Sequence, residues 1–303
     1  MKKYVLSLFT ILVWACVLDA QSLTLQERLG YPKDTKLLII HADDLGVSHS
    51  ENEATINALE KGSVSSASIM VPTPWFSEIA AYAVTHPKAD FGLHLTFTSE
   101  WKNYKWRSLS DETPGLNNKQ GFMYSSVDSV YASATVAEVE KEMRKQIEKA
   151  KQFGIDVTHL DSHMGTLFGR PDYLKLYIQM GREFKVPVML PKFATASLGN
   201  FLTDKDVLVD DIKIANPPNF KNGMASFYTG VLDSIKSGLT VLIIHVAYDD
   251  KEMQAVTIDH PDYGAAWRQS DYNFFTSETC KRILKEKNIR VITWREVRDK
   301  LVR

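Results

Sequence analysis

Short apolar runs, each about the length of a buried strand, alternate along this chain with segments of helical period. The first run, Lys36-Leu-Leu-Ile-Ile-His41, has no polar break, as expected of a strand covered on both faces. Residues 51–61 then read as a helix, with Ser48 or Ser50 placed to cap it and Gly62 to stop it. Residues 67–71 follow as a strand, 75–85 as a helix stopped near Pro87, and 91–97 as a strand. Residues 98–129 lose all period yet carry Trp101, Tyr104, Trp106, Pro114 and Gly115. Loops of that length are usually functional or disordered, and these aromatics argue against disorder. Further on, 136–153, 172–184, 226–237, 277–287 and 294–301 read as helices. Residues 156–161, 186–190, 240–245 and 289–293 read as strands, while 192–222 gives no clear pattern. This β-α-β-α order with continuous apolar strands predicts an α/β fold, its mainly parallel sheet covered by helices. Length and strand number favour a (β/α) barrel, distorted or incomplete, over a flat doubly wound sheet.

The N-terminus departs from that pattern. Lys2 and Lys3 precede a run over 4–17 that is apolar except for Ser7 and Thr10, and Asp19-Ala-Gln21 follows. This predicts a signal peptide over 1–20 and a single domain over 21–303. The run is short against the ~20 residues of a membrane span, so no transmembrane span is expected in the mature chain. The protein is expected to be exported, periplasmic or secreted, with lipid anchoring at Cys16 as second choice because Trp14 spoils the lipoprotein box. Cys280 is then the only cysteine left, so no internal disulfide can form. It sits in a helical pattern and reads as buried filler.

Composition adds exclusions. The chain has 44% hydrophobic residues, enough for a sizeable core, and 36 basic against 37 acidic residues, a net charge of -1. With no basic run, a nucleic-acid partner is not expected. G-x-G-x-x-G, P-loop and G-x-S-x-G patterns are missing, which counts against nucleotide chemistry and an α/β-hydrolase serine nucleophile.

Chemistry gathers at strand ends. Asp43 and Asp44 follow Leu37-Leu-Ile-Ile40, His94 lies within the strand over 91–97, His163 follows the strand over 156–161, and His245 ends Val241-Leu-Ile-Ile244. In a parallel barrel these ends meet on one face. Adjacent carboxylates repel unless a cation or proton compensates; one could hold a metal while the other acts as base on water. A lone Asp-Asp is more often a turn or helix cap, but here it follows a buried strand and in-line His41. Gly92, two residues before His94, hints at a close backbone approach. In His159-Leu-Asp-Ser-His163 the two imidazoles and Asp161 alternate, so an extended chain turns all three to one face. Asp44, His94 and His163 would make a His-His-carboxylate site open to water and substrate, suited to zinc and to other divalent ions. His245 is a candidate acid for a leaving amine. His49, His86 and His260 sit near turns or prolines and read as solvated or structural.

Ile40-His-Ala-Asp-Asp-Leu-Gly46, Gly92-Leu-His-Leu-Thr96 and Thr158-His-Leu-Asp-Ser-His163 resemble the motifs of YdjC-like (ChbG-type) carbohydrate deacetylases, relatives of the polysaccharide deacetylases. Weaker matches are Ser226-Phe-Tyr, the strand ending at His245, and Arg268-Gln-Ser-Asp-Tyr. The resemblance implies a polysaccharide-deacetylase-like barrel that removes acetyl groups from N-acetylated sugars or oligosaccharides. It implies one divalent metal ion, zinc or magnesium, on Asp44, His94 and His163, with Asp43 as base and His245 as acid. His41, His159, Asp161 and Arg268 would support the ligands from behind or touch substrate. Trp101 and Trp106, with Tyr104, offer flat faces for stacking on sugar rings. Where family members often carry further histidines after the last ligand, this chain has Met164-Gly-Thr166, and Val246 replaces a frequent proline. Rival expectations are another metal-assisted amidase or esterase on the same barrel, and a catalytically silent sugar-binding protein. A dimer is compatible with all of these readings.

Overall fold

A computed structural model describes residues 23–303. The leader expected over 1–20, with Cys16, lies outside the described residues. No helix among the described residues is long and apolar enough to cross a membrane.

Nine strands are present among the described residues: β1 (Lys36–Leu45), β2 (Ser66–Ile69), β3 (Phe91–Leu95), β4 (Leu160–Ser162), β5 (Leu190–Pro191), β6 (Leu208–Val209), β7 (Asp211–Ile214), β8 (Gly238–Ile244) and β9 (Ile289–Val291). The main sheet runs β4-β3-β2-β1-β8-β7, with β9 also on β1, and all its ladders are parallel. β8 lines one edge of β1 from Lys36 to Ala42; the other edge is shared, β9 taking residues 36–38 and β2 residues 41–45. The outer strands β4 and β7 do not pair with each other. Instead Leu160 bridges to Val188, β5 pairs with β6, and β6 runs through Asp210 into β7. The sheet therefore curls into a parallel half barrel whose gap is crossed by short pieces.

Several expected elements shift. The strand expected over 186–190 shrinks to the bridge at Val188 and two residues of β5, since Pro187 has no N–H to give a ladder. The stretch 192–222 contains β6, β7 and the helix Pro217–Asn222. Two helices that the pattern did not announce, Lys251–Val256 and Ala265–Phe275, follow β8. Ser48, not Ser50, caps the first long helix by accepting from Glu51 N.

Alternation along the strands decides what faces the barrel interior. Leu38, Ile40 and Ala42 pack outward in the large core under the helices, while Leu37 and Ile39 join Val209, Val241 and Trp294 in a smaller inner cluster. Leu37 and Ile39 are fully buried, and such burial is worth about 1.5–3 kcal/mol per side chain. The same period carries His41 and Asp43 inward on β1. On β3 the outward residues are Phe91, Leu93 and Leu95, which leaves Gly92 and His94 inside. On β4 Leu160 is outward, which leaves His159 and Asp161 inside. The fold thus floors the inner face with apolar side chains and crowns it, at the strands' C-terminal ends, with titratable ones.

Candidate metal centre and active site

A regular strand would send Asp43 and Asp44 to opposite faces. β1 carries a register irregularity between Ala42 and Leu45, and Asp44 adopts a φ of 73°, a left-handed conformation that Asp tolerates better than most residues. Both carboxylates consequently line one cavity of about 760 Å³ with His94, Glu100, Trp101, Asp161, His163, His245 and Arg268.

At its base, Asp44 Oδ1 is buried and has no hydrogen-bond partner. It lies 3.4 Å from His94 Nε2 and 3.4 Å from His163 Nδ1. Two ligands about 2.0–2.1 Å from a tetrahedral ion stand roughly 3.4 Å apart, so the spacing is that of a donor set. The far nitrogens of both rings meet carboxylates: His94 Nδ1 is 2.5 Å from Asp161 Oδ1, and His163 Nε2 is 3.0 Å from Glu100 Oε2. Such pairs fix the orientation of metal-binding imidazoles. Asp44 Oδ2 accepts from Arg268 at 2.8 Å, and Arg268 also binds buried Glu51. These atoms fit a divalent cation.

Electrostatics agree with that fit. Burial opposes protonation of His163, yet Glu100 and Asp44 outweigh it and lift its pKa to about 9. Burial likewise opposes protonation of His94, and Asp43 and Asp161 raise it well above the usual imidazole value. Asp44 resists burial through Arg268 and the two imidazoles, which hold its carboxyl well below the normal range. The pocket therefore has a deficit of positive charge that protons fill when a cation does not.

Asp43 sits beside this set. Its Oδ1 is 3.0 Å from His41 Nε2 and accepts from Ser68 Oγ at 3.3 Å, while Oδ2 lies 3.7 Å from His94 Nε2. His41 is fully buried, reaching Ser66 Oγ through Nδ1 at 3.1 Å and Asp161 Oδ2 through Nε2 at 2.7 Å. Against the effect of burial, Asp161 and Asp43 raise its pKa to about 9. A protonated His41 wedged between two carboxylates leaves the outer oxygen of Asp43 turned to the cavity.

His159 does not line the cavity. It is fully buried, stacks on Trp294 with ring centroids 5.3 Å apart, and meets Thr158 Oγ1 at 2.9 Å. Its ring covers Gly92, where a Cβ would come within 2.3 Å. The close approach hinted at by Gly92 is therefore to an imidazole. His245 Nε2 stands 3.9 Å from Asp44 Oδ2. Its backbone N–H donates to Asp271 Oδ2 at 3.0 Å, and Tyr228 donates to Asp271 Oδ1 at 2.7 Å. The segments around Tyr228, His245 and Asp271 thus meet at one carboxylate. Burial pushes the His245 imidazole down to about 4 and the Asp271 carboxyl up to about 7.

Of the loop aromatics, Trp101 lines the cavity and lies under the Arg268 guanidinium, 5.5 Å from ring centre. The structure does not bring Trp106 there: it is buried and donates through Nε1 to Thr98 O at 2.8 Å. Tyr104 donates to Val47 O at 2.6 Å. Sequence reasoning missed Glu100, Glu51 and Asp271, and it placed His260, which lines the cavity, among turn residues. Glu100 had only a faint signal, an acid in the segment without period that follows the strand carrying His94. Glu51 had none, being one acid among several on a helix.

The YdjC-like protein family model matches residues 37–286. A carbohydrate deacetylase of Thermus thermophilus is 30% identical over 91% of this chain and 99% of its own. One from Brevibacillus brevis is 26% identical over 86% of this chain and 99% of its own. A solved structure from Enterococcus faecalis V583, provisionally assigned to cellobiose-phosphate cleavage, shares the fold with a TM-score of 0.73 at 19% identity, covering 87% of this chain and 99% of that one. With a match spanning most of the chain, and with its motif residues gathered around one cavity, the protein belongs to the YdjC-like family.

Proposed function

We propose that this protein is a hydrolase that removes the acetyl group from N-acetylated sugars, using one divalent cation held by Asp44, His94 and His163. The observation that carries the reading is Asp44 Oδ1, buried without a partner and equidistant from two imidazole nitrogens whose far sides are pinned by Asp161 and Glu100. The relatives named carbohydrate deacetylases, similar over nearly their full length, support the substrate class. Two nitrogens and one carboxylate favour zinc over magnesium, which prefers oxygen ligands.

Bound there, the cation would polarise the acetamide carbonyl and acidify water. Asp43, held from below by His41 and Ser68, accepts a proton from the attacking water through Oδ2. His245 lines the same cavity, with Nε2 3.9 Å from Asp44 Oδ2. As general acid it gives a proton to the nitrogen as the C–N bond breaks, yielding acetate and an amino sugar, and the proton taken by Asp43 leaves to solvent. Arg268 binds both Asp44 and Glu51 and offsets one carboxylate charge, and Trp101 walls the cavity beside it.

Export is part of the proposal, on the strength of Lys2, Lys3 and the apolar run over 4–17. Cell fractionation with N-terminal sequencing of the mature protein checks it. The activity is tested by acetate release from N-acetylated mono- and oligosaccharides, with the cation-loaded protein beside Asp43→Ala and His94→Ala. Release that disappears in both variants supports the reading. Full cation stoichiometry without release from any substrate would favour the non-sugar hydrolase or the silent sugar-binding protein.

A further inference from the structure

We infer that the sugar taken by this site carries no phosphate group: the substrate is a neutral N-acetylated saccharide that lies against an uncharged wall. This rests on the deacetylase reading and adds a specificity to it. The cavity lining is of two unlike kinds. Its acidic members are Asp43, Asp44, Glu100, Asp161 and Asp262. Met164, Met189, Pro191, Phe193, Ile212 and Ile214 supply its apolar wall. β7 explains the wall, because its alternation turns Ile212 and Ile214 to the cavity while Asp211 and Lys213 pair with each other elsewhere.

A phosphomonoester brings a charge of about −1.5 to −2 near neutral pH and asks for Arg or Lys. Among the described lining residues Arg268 is the only Lys or Arg, and it is 1% exposed with Asp44 and Glu51 on its guanidinium. Neighbouring basic groups are also engaged: Lys192 with Asp210, and Lys102 with Asp259. His260 lines the cavity together with the acidic Asp262. Five carboxylates outweigh one guanidinium, one divalent cation and the protonated His41 between Asp43 and Asp161, so the cavity stays negative and repels a second anion. The uncharged wall suits the C–H faces of a saccharide, and Phe193, 78% exposed, offers a ring for them. A volume of about 760 Å³ lies within the roughly 300–1,000 Å³ of sites for drug-sized ligands, the size class of a disaccharide.

The test compares acetate release from an N-acetylglucosamine disaccharide and from the same disaccharide bearing a 6-phosphate, using the cation-loaded protein at low salt. The neutral sugar should be preferred by roughly a hundredfold in kcat/KM, with the gap narrowing as salt rises. Ile214→Lys, at a half-exposed edge position, should shrink the gap by raising use of the phosphate. Equal or better turnover of the phosphorylated sugar by the unaltered protein overturns the inference and leaves the deacetylase reading standing. If neither sugar releases acetate, the deacetylase reading fails, and calorimetry with the same pair still decides this one: tighter binding of the phosphorylated sugar overturns it, tighter binding of the neutral sugar supports it.

Discussion

Asp161 Oδ1 lies 2.5 Å from His94 Nδ1. Its Oδ2 is 2.7 Å from His41, so one buried carboxylate orients the imidazole proposed as a cation ligand and braces the partner of Asp43. Asp161→Asn keeps the shape but cannot accept from both rings with both atoms. The expected result is a loss of cation affinity of about 10–100-fold, together with a lower kcat at saturating cation. Competition against a chromophoric chelator measures the first and acetate release the second. Unchanged affinity would mean that His94 is oriented by its packing alone.

Removing the cation should be visible without any substrate. In the cation-free protein the surrounding carboxylates favour protonated His94 and His163, the latter with a pKa of about 9. Both must be neutral to act as ligands, so binding at pH 7 expels protons, and affinity climbs as pH rises toward 9. Calorimetry in buffers of different ionisation enthalpy should count about two protons released per zinc bound. Chelation should also lower the thermal midpoint, and zinc should restore it.

The pieces of the site that could be read in the sequence are those in strands or just past their C-terminal ends, because strand periodicity states both burial and direction. Leu37 to Ile40 announced a two-sided buried strand, and His94 and Asp161 inherited their inward direction from apolar neighbours on β3 and β4. Asp44 points inward only because its φ of 73° breaks that alternation, and no periodicity encodes such a break. Glu100 lies past the end of β3, in the segment without period, and Arg268 reaches Asp44 from 224 residues away. β6 and β7 were illegible because Asp210 and Asp211 interrupt the apolar run over 207–214. Gly92 was legible as a place of close approach, but only the fold could say that a ring fills it.

On the outside of the barrel, Asp156 binds Arg298 at 2.7 Å and Arg295 at 2.5 Å, tying the last helix to the segment before β4. Despite partial burial, which works the other way, these guanidiniums hold the Asp156 carboxyl down at about 2. A depressed carboxylate adds stability above its unfolded pKa of about 3.9 and loses it as pH falls through the folded value. Denaturant titrations from pH 5 to pH 2 should show this loss, and Asp156→Asn should remove the part due to this cluster. At neutral pH the variant should lose about 1–2 kcal/mol, discounted because Asp156 is 43% exposed while Arg298 stays buried.

Gly92→Ala probes the floor of the site. The added Cβ would stand 2.3 Å from the His159 ring, which is fixed between Gly92 and Trp294. Overpacking of this kind costs about 1–3 kcal/mol. His159→Ala alone should also destabilise, since it empties a fully buried position. Together the two changes should cost less than their sum, because removal of the ring makes room for the new methyl group. Equilibrium denaturation of the four proteins yields this coupling. Strict additivity would show that the Gly92–His159 contact does not set the packing there. Cation affinity across the same four proteins should change little, since His94 is held by Asp161 and not by His159.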